Sequence, residues 1–158
     1  MNPYNGYSGA EREAKLRARH KRRRAGLETQ HQPPCAICRD PNLPVEPHAE
    51  DYAQPFLWEP PAEYGLCRTC HRSRLHKRFS SPLGWEAYKA HIRRGGYSSD
   101  LKQPGVAAEV RAYQRALDAG GPPPMLHALR FRESTLGAWW EQLTTDPMSL
   151  TASWARPR

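Results

Sequence analysis

The chain has four cysteines, and all of them fall in two C-x2-C pairs, Cys35-Ala-Ile-Cys38 and Cys67-Arg-Thr-Cys70. A C-x2-C turn sets two thiolates on one side of a metal ion, and a second such turn completes a tetrahedron. If both pairs grip one ion, the chain between them must leave and return as a loop or hairpin. In a secreted protein the same cysteines would form disulfides. Here the N-terminus reads Met-Asn-Pro-Tyr-Asn-Gly and then becomes highly charged, with no apolar signal segment. A reducing cytoplasm with metal-bound thiolates is the expectation. Four thiolates leave zinc no open position, so Cys35, Cys38, Cys67 and Cys70 read as a structural Zn2+ site.

Such a staple suits the composition. Only 38% of the 158 residues are hydrophobic and 16 are proline, which is too little apolar material for one large core. Small cores of this kind commonly need a metal. The net charge of +8 favours a polyanionic partner such as nucleic acid without specifying any sequence preference. No run of about 18 apolar residues occurs, so no membrane span is expected.

Three parts follow along the chain. Residues 1–32 form a basic, partly flexible N-terminal arm: residues 1–9 are polar and rich in Gly and Tyr, and Glu11 to Gly26 carries Arg22, Arg23 and Arg24 among other cations. This segment permits a helix, but its apolar face is thin, and its order is expected to depend on a bound polyanion. Residues 33–100 hold the metal unit, with strands expected at Leu43–His48 and Glu63–Leu66 and a helix over Arg68–Phe79. Ser81 and Pro82 then suit the start of another helix, which carries Trp85, Tyr88 and Ile92 and stops at Gly95-Gly96. Residues 101–158 are a helical extension, with a helix at Val106–Ala119 ended by Gly120-Gly121-Pro122 and a short one at Leu136–Leu143. Trp139-Trp140 in the latter read as packing groups, or as an aromatic segment docking on a protein partner.

His48, Asp51, His71 and His76 remain. His71 directly follows a cysteine ligand, and His48 ends the first expected strand, so closing the cysteine knot can bring the imidazoles into one cleft. The stretches Cys35-x2-Cys38, Pro47-His48-Ala-Glu-Asp51-Tyr52 and Leu66-Cys67-Arg-Thr-Cys70-His71 resemble the HNH, or ββα-metal, nuclease superfamily in its zinc-stapled form, as in small HNH-type proteins of phages and bacteria. The resemblance covers residues 33–80. It implies an α+β fold, a zinc-stapled ββα-metal core with added C-terminal helices and the basic arm. It also implies a metal-dependent endonuclease acting on DNA with low sequence specificity. His48 would be the general base, and His71, with His76 and Asp51 as further ligands, would hold a divalent cation such as Mg2+, Mn2+ or Ni2+.

The chain departs from the family pattern at Pro47, where many members carry a ligating Asp or His, and it lacks an evident Asn between the strands. These departures suit an alternative, a non-catalytic zinc-bound nucleic-acid-binding or adaptor protein built on the same fold. Under either reading Arg22, Arg23, Arg24, Arg68, Arg72, Arg74, Lys77, Arg78, Arg93 and Arg94 are candidate contacts to nucleic acid, double-stranded DNA by preference. Such contacts position a duplex without reading bases, and the bland reading is a solvated basic face.

Overall fold

A two-stranded antiparallel hairpin stands at the centre of the computed structural model, which describes residues 1–129 and 139–147. Strand β1 is Val45–Ala49 and β2 is Glu63–Cys67. Their register sets His48 opposite Tyr64 and Pro47 opposite Gly65. A two-stranded sheet leaves each strand an open edge, where a proline such as Pro47 is tolerated. Gly65 is required by close approach: a Cβ there would lie 2.7 Å from the Cβ of His31 and 3.0 Å from Val45 Cγ2. Its carbonyl accepts the Ala36 N–H at 3.0 Å, tying the first cysteine turn to β2.

The helix expected over Arg68–Phe79 is not regular. Thr69–Arg74 is a π-helical turn and Leu75–Arg78 a 3-10 turn, with the Leu75 N–H donating to the Cys70 carbonyl, five residues back. The widened turn has a consequence for the histidines it carries. On an α-helix, residues five apart point about 140° from one another. A turn closed by an i→i+5 bond brings His71 and His76 back toward one side.

Helix α2 spans Pro82–Arg93 with Pro82 at its first position. Ser81 sits at the N-cap position but makes no side-chain capping bond. Its hydroxyl instead accepts the Gln114 amide at 3.2 Å. Helix α3, Pro104–Asp118, packs against α2. Gly95 and Gly120 follow the two helix ends in the left-handed region, φ +88° and +68°, which glycine adopts without penalty. Part of the segment expected to be helical at Leu136–Leu143 lies outside the described residues; Trp139–Gln142 is a 3-10 turn. One core cluster gathers the four cysteines with Leu66, Trp85, Tyr88, Ile92, Trp140 and Leu143. The fold is therefore mixed helix and a small sheet. Among the described residues no helix is long and apolar enough to cross a membrane.

The N-terminal arm corrects two expectations. Helix α1, Gly9–Arg24, opens on a reciprocal capping box between Ser8 and Glu11. It packs without an apolar stripe, through cations on aromatic faces. Arg12 lies 5.3 Å from the Tyr52 ring centroid, Lys15 5.3 Å from that of Trp58, and Arg19 5.2 Å from the same ring. Lys15 is buried, and its Nζ donates to the carbonyls of Asp51 at 2.7 Å and Leu57 at 2.8 Å. Order in α1 thus needs no bound polyanion. Residues 1–9 are not a loose tail either. Tyr4 and Asn5 are buried, because the buried Glu50 carboxylate draws their donors inward.

Candidate metal centres

The cysteine cluster fits a metal ion such as zinc. The four Sγ atoms are buried, lie within 4.8 Å of one another and form no disulfide. Cys38 Sγ and Cys67 Sγ are 3.8 Å apart. A tetrahedron of zinc–sulfur bonds of about 2.3 Å has edges of about 3.8 Å, whereas a disulfide closes to about 2.05 Å. The Cys70 N–H points back at Cys67 Sγ at 3.5 Å, and the Tyr88 hydroxyl lies 2.7 Å from Cys70 Sγ. Burial pushes the Tyr88 phenol well above its ordinary pKa, so it keeps its proton beside the sulfur. Burial likewise drives the Cys70 thiol upward, while hydrogen bonds from Cys38 and Cys67 hold Cys35 low. A divalent cation would remove this conflict by stabilising every thiolate at once.

His48 on β1 and His71 and His76 on the turn after β2 form the second cluster. Each offers a ring nitrogen within 4.8 Å of the others. The ring centroids are 4.7 Å apart for His48 and His71, 5.5 Å for His48 and His76, and 5.4 Å for His71 and His76. A cavity of about 220 Å³ opens on them, lined also by Arg12, Pro47 and Tyr52. Burial, then the charge of His48, keeps His71 below the ordinary imidazole range, and His76 is pushed down to about 4 by the same causes with His71 added. Both are therefore neutral near pH 7, the form that binds metal. His71 Nδ1 lies 2.7 Å from Glu46 Oε1. That contact fixes the ring and leaves Nε2 to face a ligand, as in carboxylate–histidine–metal relays.

A buried network backs His48, and most of it escaped the sequence reading. His48 Nε2 is 2.6 Å from Glu50 Oε1, and the Tyr4 hydroxyl donates to the same oxygen at 2.8 Å. Arg78 donates both terminal nitrogens to the two oxygens of Glu50 at 3.0 Å, and both residues have no exposed surface. Burial works to raise the Glu50 carboxyl, but His48 and Arg78 outweigh it and hold it at about 2. One signal in the sequence pointed there. Side chains two apart on extended chain share a face, so His48 pairs with Glu50 rather than Asp51. The Glu50 N–H still pairs with the Ala62 carbonyl at 3.0 Å, which prolongs the extended parity past β1. Asp51 accordingly stands outside the histidine cluster, its Oδ1 accepting from the Tyr7 hydroxyl at 2.9 Å and the Ala53 N–H at 2.7 Å.

The basic residues separate by their partners. Arg78 is a core residue, which corrects its reading as a surface contact. Arg72 forks onto Glu46, Arg23 onto Glu28 and Arg93 onto Glu141, each through two hydrogen bonds. Arg22 donates to the Leu27 carbonyl and Arg94 to that of Leu126. Arg24, Arg68 and Lys77 are exposed, and Arg74 is half-buried. Trp140 is fully buried, and Trp139, half-buried, stacks on Tyr64 at 3.8 Å between ring centroids, so both serve as packing groups. Comparison with protein-family models, with curated proteins and with solved structures returned no match for this chain.

Proposed function

We propose that the protein is a metal-dependent endonuclease of HNH type, hydrolysing DNA phosphodiester bonds with low sequence specificity. The observation that carries this reading is the convergence of His48, His71 and His76 at the mouth of an open cavity. They sit on an antiparallel hairpin and the turn that follows it, beside a closed four-cysteine knot. That order of elements supports the zinc-stapled ββα reading drawn from the sequence, although a π-helical and a 3-10 turn stand in place of its helix. His71 and His76 would hold the divalent cation, and their neutral imidazoles suit that task. When bound, such an ion supplies Lewis-acid stabilisation of charge building on the phosphate.

The chain's own chemistry is general-base catalysis by His48. With Nε2 engaged by Glu50, the other ring nitrogen is left to take a proton from water. The resulting hydroxide forms a new bond to phosphorus, the bond to the leaving oxygen breaks, and that oxygen takes a proton from solvent. Glu50 stays ionised throughout and stabilises the imidazolium, as a carboxylate behind a catalytic histidine does. Arg12, on the cavity wall, carries the charge that attracts a phosphate.

The test is nicking of supercoiled plasmid with Mg2+, Mn2+ or Ni2+ by zinc-loaded wild type, His48→Ala and His71→Ala. Loss of about 10²–10⁴-fold in rate with His48→Ala is the expected result for a general base. Folded, zinc-loaded wild type that retains DNA in a salt-sensitive way without nicking it would overturn the enzyme. It would favour instead a binding module in which Pro47 replaces a ligand.

A further inference from the structure

A second cavity lies away from the histidines, between residues 74–81, α2 and α3. Its volume is about 530 Å³, within the range of small-molecule sites. Three cations line it, Arg74, Lys77 and Arg111, together with the hydroxyls of Ser80 and Ser81 and the amide of Gln114. No carboxylate is among its lining residues. Elsewhere Arg23, Arg72, Arg78 and Arg93 pair with glutamates. Arg74, Lys77 and Arg111 have no such ion pair among the described residues.

Two further features fit an acceptor-rich ligand. The Ser81 hydroxyl already accepts from Gln114, so its own hydrogen is left to donate. The first turn of α2 has no side-chain cap, and Gly84 lines the cavity beside it. Gly84 also permits the close approach of α3: a Cβ there would fall 2.5 Å from Ser81 Oγ and 3.2 Å from Gln114 Nε2. The remaining wall, with Leu101, Ala107 and Val110, is apolar.

We infer that this cavity is a second phosphate site, which takes one backbone nucleotide of a nucleic acid strand whose scissile bond lies at the histidines. The inference rests on the nucleic-acid reading above. The phosphate oxygens accept from Arg74, Lys77, Arg111 and Ser81, and the sugar and base cover the apolar wall. Arg74 follows His71 on the π-helical turn and Lys77 follows His76 on the 3-10 turn, so one continuous segment, residues 69–78, carries groups of both sites. Arg111 extends the contact to α3, which the sequence alone did not connect to the site.

The test uses the full zinc-loaded chain and a short fluorescein-labelled DNA duplex, titrated over a salt series without added divalent cation. Lys77→Gln/Arg111→Gln removes two exposed charges, and unchanged zinc content and melting temperature will establish that it folds. The expected result is an affinity loss of about tenfold or more, with the salt slope smaller by about 1, the share of the one phosphate held there. Affinity and slope equal to wild type would overturn the proposal. Titration with deoxyadenosine monophosphate separates a strand from a free nucleotide. Free nucleotide bound by wild type and lost in the variant, with duplex affinity unchanged, would also overturn it. Plasmid nicking keeps the two readings apart. Wild type that never nicks, while the variant still loses DNA, upholds this site and removes only the hydrolase. Nicking and binding unaffected by the double substitution remove only this site.

Discussion

The two clusters of metal-ligating side chains are built on the same hairpin and differ in nearly every physical respect. The cysteines are sealed in the core, already at the spacing of a tetrahedron, with the Cys70 amide donating to Cys67 and the Tyr88 hydroxyl against Cys70. The histidines face a cavity, are backed by carboxylates at Glu46 and Glu50, and leave room for further ligands. A closed shell of soft donors contributes to folding, whereas an open shell of imidazoles can exchange what it holds. Under the proposed function, one supersecondary unit would separate stability from chemistry by side-chain softness and access alone.

The largest effect that tests this division is at the cysteines. Cys67→Ser, or removal of metal by a strong chelator, should unfold the chain, since structural zinc contributes on the order of 10 kcal/mol in small domains. Loss of near-ultraviolet dichroism would report it, and retention of native dichroism without metal would refute the division. Next comes the Glu50–Arg78 pair. Glu50→Gln leaves a buried guanidinium without its counter-charge and should lower stability by about 3–5 kcal/mol in denaturant titration. A cost near zero would mean that water reaches Arg78.

Smaller effects are expected on the open side. Glu46→Gln should weaken metal binding at the histidines by about 10–100-fold, with little change in melting temperature, as measured by calorimetry with Mn2+ or Ni2+. An equal loss of stability would make the Glu46–His71 contact structural instead. The smallest effect concerns Arg39, which closes the first cysteine turn at φ +56°. A non-glycine residue there costs about 1 kcal/mol or more, so Arg39→Gly should slow thermal unfolding slightly or leave it unchanged. Destabilisation would show that the Arg39 side chain has a role of its own.

Much of the scaffold was legible in the sequence because its signals are local. The C-x2-C turns, the Pro82 start of α2 and the glycines after α2 and α3 are short-range rules, and they fall within a residue or two of the observed bounds. His48, His71 and His76 were legible as a set because the cysteine knot fixes where their segments meet. What was hidden depends on pairing across the chain. Arg78 reads as one more cation in a basic helix, and only the buried Glu50 makes it a core residue. Tyr4 and Asn5 look like a polar tail until that same carboxylate requires donors. The π-helical turn has no sequence marker beyond the five-residue spacing of His71 and His76. Helix α1 seemed too polar to pack, since amphipathic patterns score apolar stripes and do not count guanidinium groups lying on Trp58 and Tyr52.

The buried ammonium of Lys15 changes what kind of object α1 is. Two backbone carbonyls from the loop at residues 51–57 grip one side chain, and a capped first turn keeps the helix wound. A free basic tail surrenders conformational entropy on meeting a polyanion, and that loss is subtracted from its affinity. This helix has surrendered it during folding, so its outward charges already stand in a fixed array, and an encounter with a negatively charged surface begins with the geometry settled.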